Sequence, residues 1–412
     1  MFVPSLFELS ATVVAKYSVD GSYRNLDINL DTKLSDQVFP EIVKLYRLPR
    51  LSVSSPLIRE EIGLKLNLSK FDTNGYPVSR GDLVKLHSHN IRSLAVSLVD
   101  IPGVQEYWVQ NYEEDEEQLD IVRILKTCLN ERSRQNLMHL SCDCFEYFPN
   151  NWSESIGELL PNLVSFAPIF IKDLRGVCHL KNLQILTLSR SSLKSTENLK
   201  DVFELRNLRV LNVSESEFFF EALLLCNGTF QNLKLIDFFK SDISETQLRT
   251  LVERNPSLET ISLLETPCDY TDFSDLPVTV FNLATIESTM NTLRFSLDKR
   301  DAYGWRVSKS IDRLVELMCD ITIQGFKEDE FLKMMMEVIK KCPSLRKKSN
   351  EVTDCLILYF KHFFPGQSMR EILKKLDPKS PLFVERRWAA QTVLRFFLEP
   401  VHRKLIIRRN SF

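Results

Sequence analysis

The sequence predicts a fold of two parts, an α/β solenoid followed by an all-α domain, and four observations support this prediction. A pattern of apolar residues recurs every 25 residues through the middle of the chain. Beyond residue 282 the apolar residues instead recur at spacings of three and four, which is typical of helices. Charge divides the chain similarly, because residues 301–412 hold 22 Lys and Arg against 14 Asp and Glu, whereas residues 1–300 hold 31 against 41. The chain of 412 residues is also longer than one hydrophobic core usually serves.

The central repeat is the strongest signal. Because side chains alternate along a strand, its spacing places one face of a short strand inward. The pattern is that of a leucine-rich repeat, in which no unit closes a core alone and stacked units bury each other's leucines. The four clearest strings start 25 residues apart and are Asn182-Leu183-x-x-Leu186-x-Leu188, Asn207-Leu208-x-x-Leu211-x-Val213, Asn232-Leu233-x-x-Ile236-x-Phe238 and Ser257-Leu258-x-x-Ile261-x-Leu263.

Weaker copies and intervening helices extend the solenoid over residues 61–281. Helical spacing between the strings predicts helices over residues 118–129, 153–160 and 245–254 on the outer face. The upstream copies are Asn162-Leu163-x-x-Phe166, Asn136-Leu137-x-x-Leu140-x-Cys142, Asn90-Ile91-x-x-Leu94-x-Val96 and a degenerate one around Leu64-x-Leu66.

Residues 282–412 read as a short helical domain. Apolar periodicity predicts helices over residues 311–323, 330–341, 351–364, 369–376 and 384–398, separated by prolines. The basic segment at residues 403–409 is either a nuclear-import or interaction tail or the solvated end of the last helix.

The first residues predict an amphipathic helix that caps the solenoid. Within it lies Ser5-Leu6-x-x-x-Ser10-x-x-x-Val14. This string resembles the Elongin-binding box of cullin-RING ubiquitin ligase receptors, although Ser10 stands where the box has Cys. The resemblance implies contacts with Elongin C from Leu6, Ser10, Val13 and Val14.

A second string, Val38-Phe39-Pro40-x-x-Val43, is similar to the cullin-two box that follows the Elongin box in such receptors. It implies that Val38, Phe39, Pro40 and Val43 contact cullin-two. The two boxes before leucine-rich repeats resemble the zyg-eleven and Zer-one family of cullin-two substrate receptors. The resemblance implies that residues 1–60 bind Elongin and cullin and that residues 282–412 are armadillo-like. It also implies that the partners are Elongin C, Elongin B, cullin-two and an unidentified target protein.

The target is expected on the strand face that points away from the core. No glycine-degron pocket of that family is carried over, because the helical domain has room for about three repeats. The candidate target-binding residues are the polar ones between inward positions, and they are Gln184, Thr187, Arg209, Asn212, Lys234 and Asp237.

Other functional classes find little support. The sequence has no Gly-rich phosphate loop, no zinc-protease pattern and no nucleophile elbow, so we expect neither an enzyme nor a cofactor. Cys142 and Cys144 with His139 suggest half a metal site, but the inward position of Cys142 favours a buried thiol, and no metal is predicted. Nucleic-acid binding is not expected at a pI of about 6.4 without a known motif. Without a secretory leader or a long apolar run, we expect no membrane association and a cytoplasmic or nuclear location.

The leading hypothesis is therefore a substrate-recognition adaptor of a cullin-two/Elongin ubiquitin ligase. One alternative is a non-catalytic interaction scaffold, derived from such receptors, that has lost ligase docking through Ser10. A weaker alternative is an F-box type receptor, suggested by Leu48-Pro49.

Overall fold

A computed structural model describes most of the chain, and its contacts divide the chain into one compact unit of Val3–Pro267 and a second that begins at Cys268. The described residues are 6–23, 26–46, 64–98, 105–111, 116–143, 148–149, 151–169, 171, 173–191, 193, 195–197, 199–216, 219–298, 304–319, 326–342 and 350–398.

The first unit begins with a helical pair and a small sheet. Helix α1 (Leu6–Val19) is followed by strand β1 (Ile28–Asn29) and helix α2 (Thr32–Tyr46). Strand β1 pairs in parallel with β2 (Leu64–Lys65). The degenerate repeat expected around Leu64 therefore belongs to this two-stranded sheet and not to the main one.

The main sheet of this unit is parallel. Among the described residues, eight of its strands lie side by side in the order β12-β11-β10-β9-β8-β7-β4-β3. The sheet is interrupted in the chain by an antiparallel hairpin of β5 (Trp108–Asn111) and β6 (Glu116–Leu119). The main-sheet strands are β3 (Lys70–Pro77), β4 (Ser93–Ser97), β7 (His139–Asp143), β8 (Ser165–Ile169), β9 (Ile185–Thr187), β10 (Val210–Asn212), β11 (Leu235–Asp237) and β12 (Thr260–Ser262).

Residues 25 positions apart in the sequence lie side by side in neighbouring strands of this sheet. Leu186 lies beside Leu211, which lies beside Ile236, which lies beside Ile261. All four side chains are fully buried, as the alternation along each strand predicts. The strands expected from the four clearest strings are therefore present.

In three of the strings, the opening Asn side chain hydrogen-bonds to the backbone of the preceding turn. The Nδ2 group of Asn207 donates to the carbonyl oxygen of Lys181 at 2.8 Å, and that of Asn232 donates to Arg206 at 2.8 Å. Asn182 makes the equivalent bond to the preceding turn. The side-chain amide supplies an N–H donor, so it satisfies a backbone carbonyl that lies outside the strands.

A second column of bonds closes each turn after the strand. Arg190, Glu215, Lys240 and Glu265 all have a left-handed backbone, with φ between 55° and 57°. The amide N–H groups of Glu215 and Lys240 donate to the carbonyls of Phe239 and Leu264 in the next turn, at 2.8 and 3.1 Å. The hydrogen-bond ladder thus continues past the strands at the cost of an unfavourable φ.

Short helices cover other parts of this unit. Side chains cap the amino termini of four of them, as where the Ser244 hydroxyl and Gln247 form a capping box. The helix expected from residue 118 starts at Ile121 instead, because Gln118 and Leu119 pair in the hairpin and Asp120 caps the helix. The helices are α3 (Arg80–Leu86), α4 (Ile121–Cys128), α5 (Glu131–Asn136), α6 (Trp152–Leu159), α7 (Phe219–Leu225) and α8 (Glu245–Arg254).

In its described residues, the second unit is helical apart from strand β13 (Thr279–Phe281). Its core contains Phe331, Met335, Leu356 and Phe360, all at most 1% exposed. This agrees with the all-α region expected from the helical periodicity. Its helices are α9 (Ile286–Asp298), α10 (Gly304–Cys319), α11 (Glu328–Lys341), α12 (Asn350–Phe363), α13 (Met369–Lys375) and α14 (Phe383–Leu398).

Candidate functional site

Helix α1 has an apolar side that its own unit leaves uncovered. Leu9, Val13 and Tyr17 follow one another at intervals of one helical turn and are 45%, 50% and 48% exposed. Tyr17 touches the ring of Tyr23 edge-on, at 6.3 Å between centroids. A helix whose exposed side is apolar is typical of a surface that another protein covers.

The opposite side of α1 packs against α2. Its buried residues are Ala11, Ala15 and Ser18, which lie on one side of the helix. Small side chains let two helix backbones approach closely, so α1 packs on α2 through the side that carries its small residues. The opposite side, with Leu9, Val13 and Tyr17, faces outward and is called the presented side below.

Three of the four predicted Elongin residues lie on or beside the presented side. Ser10 and Val13 are exposed, and Val14 is half-buried. Leu6 is the first residue of α1, but its side chain is outside the described part of the chain. The Ser5 that opens the box also lies outside the described residues.

A set of hydrogen bonds fixes this helical pair to the main sheet. The Asp36 Oδ1 atom accepts from the backbone N–H groups of Ser69 and Lys70, at 2.8 and 3.0 Å. The Thr12 hydroxyl donates to Glu41 at 3.2 Å, which joins α1 to α2. The presented side of α1 is therefore carried on an ordered base.

The predicted cullin residues are mostly internal. Val38, Phe39 and Val43 are at most 3% exposed, and the Phe39 ring stacks on Phe71 of β3 at 4.9 Å. These three side chains hold α2 against the sheet, so they offer a partner no surface in this structure. Pro40 is the exposed member of the four. Sequence reasoning could not separate these roles, because an apolar stripe looks the same whether it covers a sheet or awaits a partner.

The predicted target-binding residues separate into two groups. Asn212 and Asp237 serve the turns, because their Oδ1 atoms accept from the N–H groups of Ser214 and Phe239 at 3.0 and 3.3 Å. Asp237 is fully buried, so it is unsuited to direct contact. Thr187 is half-buried beside Asn212 in the register.

The other three candidates precede their strands. Arg209 and Lys234 are exposed and Gln184 is half-buried. Lys234 pairs with Glu259 of the next turn at 2.7 Å, and both side chains are substantially exposed. Exposed ion pairs of this kind contribute little stability and remain open to exchange with a partner's charge.

Sequence reasoning missed an apolar row on this same sheet face. Ile185, Val210 and Leu235 are half-buried and lie side by side in register. They occupy the strand positions between inward residues, so the alternation itself could have identified them. The row adds apolar area beside the Arg209 and Lys234 side chains.

Other predicted features carry no site. Within the described residues, no group of three or more His, Cys, Asp and Glu side chains is arranged to hold a metal, and none of the helices could span a membrane. Cys142 is fully buried at its inward position, while His139 is exposed. Cys144, Leu48-Pro49 and the basic segment at 403–409 lie outside the described residues.

No protein-family model matches the sequence. A curated relative, Gastrulation-defective protein 3 of Caenorhabditis elegans, is 27% identical over 341 residues. The match covers 74% of this chain and 45% of the relative. The chain thus resembles that nematode protein over most of its own length while spanning less than half of the relative's.

Proposed function

We propose that this chain is a substrate-recognition adaptor of a cullin-two/Elongin ubiquitin ligase. The observation that carries the proposal is the uncovered apolar side of α1, with Leu9, Val13 and Tyr17 about half exposed. Elongin C would cover this side, with Ser10, Val13 and Val14 in or beside the contact. Catalysis would belong to a separate conjugating enzyme, and the adaptor would raise the local concentration of target lysines.

We infer that the parallel sheet belongs to a leucine-rich-repeat solenoid and that the second unit is armadillo-like. The 25-residue register and the Asn bonds between successive turns support the first inference. The succession of helices α9 to α14 supports the second. In this proposal the exposed sheet face holds the target through Arg209, Lys234 and the Ile185, Val210 and Leu235 row.

The contact with cullin-two is proposed at the exposed side of α2, around Pro40. The burial of Val38, Phe39 and Val43 assigns them to positioning α2 instead. Their replacement would therefore disturb folding before it reported on cullin binding.

The experiment is affinity purification of the tagged full chain from cells, in three forms. Wild type is compared with a Leu9→Asp, Val13→Asp variant and with Val84→Asp, a control at an apolar residue of α3 that is 51% exposed. We expect Elongin B, Elongin C and cullin-two with wild type and with the control, and their loss with the α1 variant. Equal recovery from all three forms, or no Elongin from wild type, would contradict the proposal.

Position 10 discriminates the adaptor from an interaction scaffold that has lost ligase docking. If α1 binds Elongin C, Ser10→Cys should tighten the complex, because a thiol is less polar than a hydroxyl and is easier to bury in an apolar contact. An inert Ser10→Cys together with an Elongin-free wild type would leave the scaffold as the function. In either case we propose that the chain acts in the cytoplasm or nucleus.

A further inference from the structure

The second unit contains an open groove that neither the adaptor proposal nor the sheet face uses. It lies among α12, α13 and α14 and has a volume of about 420 Å³. Phe360 and Val393 at its floor are buried, while Phe364 and Leu394 are half-buried. Its apolar lining residues are Ile357, Phe360, Phe364, Met369, Val393 and Leu394.

The charged groups of the groove are all cationic. Lys361 and Arg370 are its charged lining residues, and both are exposed. Within the described part of the chain, neither has an ion-pair partner. The Glu371 carboxylate beside this rim accepts from the backbone N–H and the hydroxyl of Ser368, at 2.8 Å each, as the cap of α13.

Several other cations in this unit's helices pair with carboxylates. Arg386 pairs with Glu328 at 2.6 Å, Lys341 pairs with Glu337 at 3.1 Å, and Arg313 pairs with Glu316 at 2.7 Å. The groove therefore combines an apolar floor with positive charges that have no counterpart. Such a site attracts negative charge, because unpaired charges beside an apolar surface are only partly screened.

We propose that this groove binds a short acidic peptide segment of a partner protein. One bulky apolar side chain of the segment lies on Phe360 and Phe364, and flanking carboxylates pair with Lys361 and Arg370. The volume accommodates one or two side chains, so the contact is a short motif. No residue of α1 lines the groove, so this proposal can be tested independently of the ligase proposal.

The chain's own carboxy-terminal residues are the alternative occupant. Residues 399–412 follow α14 and include Leu405-Ile406-Ile407, which are apolar. They are flanked by Arg403, Lys404, Arg408 and Arg409, which Lys361 and Arg370 would repel. Charge complementarity thus favours an acidic segment over this basic one.

The test uses the purified full chain and an array of heptapeptides with a central Phe or Leu and with flanks of Asp, Ser or Lys. We expect at least about tenfold stronger retention on the Asp-flanked peptides than on the Lys-flanked ones at low salt. A Lys361→Glu, Arg370→Glu variant should remove or invert this preference. Lys340→Glu, at an exposed residue of α11 outside the groove, is the matched control and should keep it. No preference for acidic flanks, or one unchanged by the double variant, would overturn the proposal.

The site of binding is located by NMR of methyl-labelled methionines. Adding the best Asp-flanked peptide should shift the Met369 signal and leave that of Met138, which is 43% exposed in the first unit, unchanged. A shift of Met138 without Met369 would overturn the assignment. So would a Met369 shift caused by Ile406→Asp in the absence of peptide, since it would mean that the chain's own segment fills the groove.

Discussion

The two units are held together in different ways. In the first, equivalent bonds recur from turn to turn, as the Asn182, Asn207 and Asn232 amides show. In the second, a largely buried, two-point ionic contact joins helices that are far apart in sequence, because Arg386 of α14 binds Glu328 of α11 through both carboxylate oxygens, at 2.6 and 2.8 Å. From this difference we expect stability to be distributed over equivalent bonds in the first unit and to depend more strongly on this one contact in the second.

The contact between Arg386 and Glu328 includes a third helix. The Tyr359 hydroxyl of α12 also donates to the Glu328 carboxylate. Burial alone would raise the pKa of Glu328, but the hydrogen bonds from Arg386 and Tyr359 outweigh it and hold that pKa below its ordinary value. The carboxylate is therefore ionised and satisfied, and it depends on both donors.

Removing one donor should produce the largest effect. Arg386→Met leaves the partly buried Glu328 carboxylate without its cation, so we expect the free energy of unfolding of the second unit to fall by about 2 to 3 kcal/mol. Hydrogen exchange measured separately over α11 and over the main sheet checks this. Arg395→Met, at an exposed residue of the same helix, is the control. A loss in α11 no greater than that of the control would mean that stability is distributed in this unit too.

The left-handed column of the first unit should give the next largest effect. Glu215→Val places a β-branched residue at φ 56°, so we expect a loss of about 1 to 2 kcal/mol. Glu215→Asn should stay within about 0.5 kcal/mol of wild type, because Asn tolerates this conformation and the lost ion pair with Arg190 is exposed. Urea denaturation of both variants measures the difference, and equal losses would show that the ion pair and not the backbone dominates.

A single Asn should matter less. Asn207→Ala removes one bond to the Lys181 carbonyl and should cost about 1 kcal/mol. Asn207→Asp is the comparison with a side chain of the same size and shape, because it removes only the Nδ2 donor. We expect Asn182→Ala to behave in the same way, as measured by urea denaturation. Unfolding of the whole first unit by Asn207→Ala or by Asn182→Ala would contradict a distributed stability.

The smallest effect should come from pH, and the stability of the two units should respond to it over different pH ranges. Burial lowers the pKa of His89, whose neutral Nδ1 accepts from the Leu68 N–H at 3.3 Å. Because the pKa is lower in the folded state, this stabilisation is complete above about pH 6.5 and falls below that value. The lowered pKa of Glu328 acts in the same direction, but only below its ordinary value of 4.5.

Hydrogen exchange at pH 7.5, 6 and 5 checks this separation. The first unit should weaken slightly between pH 7.5 and 5, while the second should not change through Glu328. His89→Gln should flatten the response of the first unit, whereas Glu328→Gln should leave that response intact. A first unit that weakens equally with His89→Gln would assign the effect to another group.

The sequence predicted what is periodic and local. The strings at 25-residue intervals identified the strands because each inward leucine repeats at a fixed spacing, and α8 starts and ends at the predicted residues, Glu245–Arg254. The β5 and β6 hairpin was missed because its pairing gives no spacing signal. The Glu328 and Arg386 contact was equally out of reach, since it joins residues 58 positions apart with nothing periodic between them.

The candidate site was predicted only in part. The helical spacing of residues 6 to 17 was sufficient to place Val13 and Ser10 on one side of α1. Whether Phe39 faces a partner or Phe71 depends on the tertiary position of α2, which the sequence does not encode locally. The cationic groove likewise depends on three helices meeting, and no motif marks it.

The left-handed column also limits how the repeat array can change in length. Its side chains alternate in sign along the stack, as Arg190, Glu215, Lys240 and Glu265, and Arg190 contacts Glu215 at 3.0 Å while Lys240 contacts Glu265 at 3.8 Å. Duplicating one 25-residue unit within this stretch would bring like charges next to each other, whereas duplicating two adjacent units would preserve the alternation. The growth step that electrostatics favours in this stretch, by the small contribution of exposed ion pairs, is therefore a pair of 25-residue units.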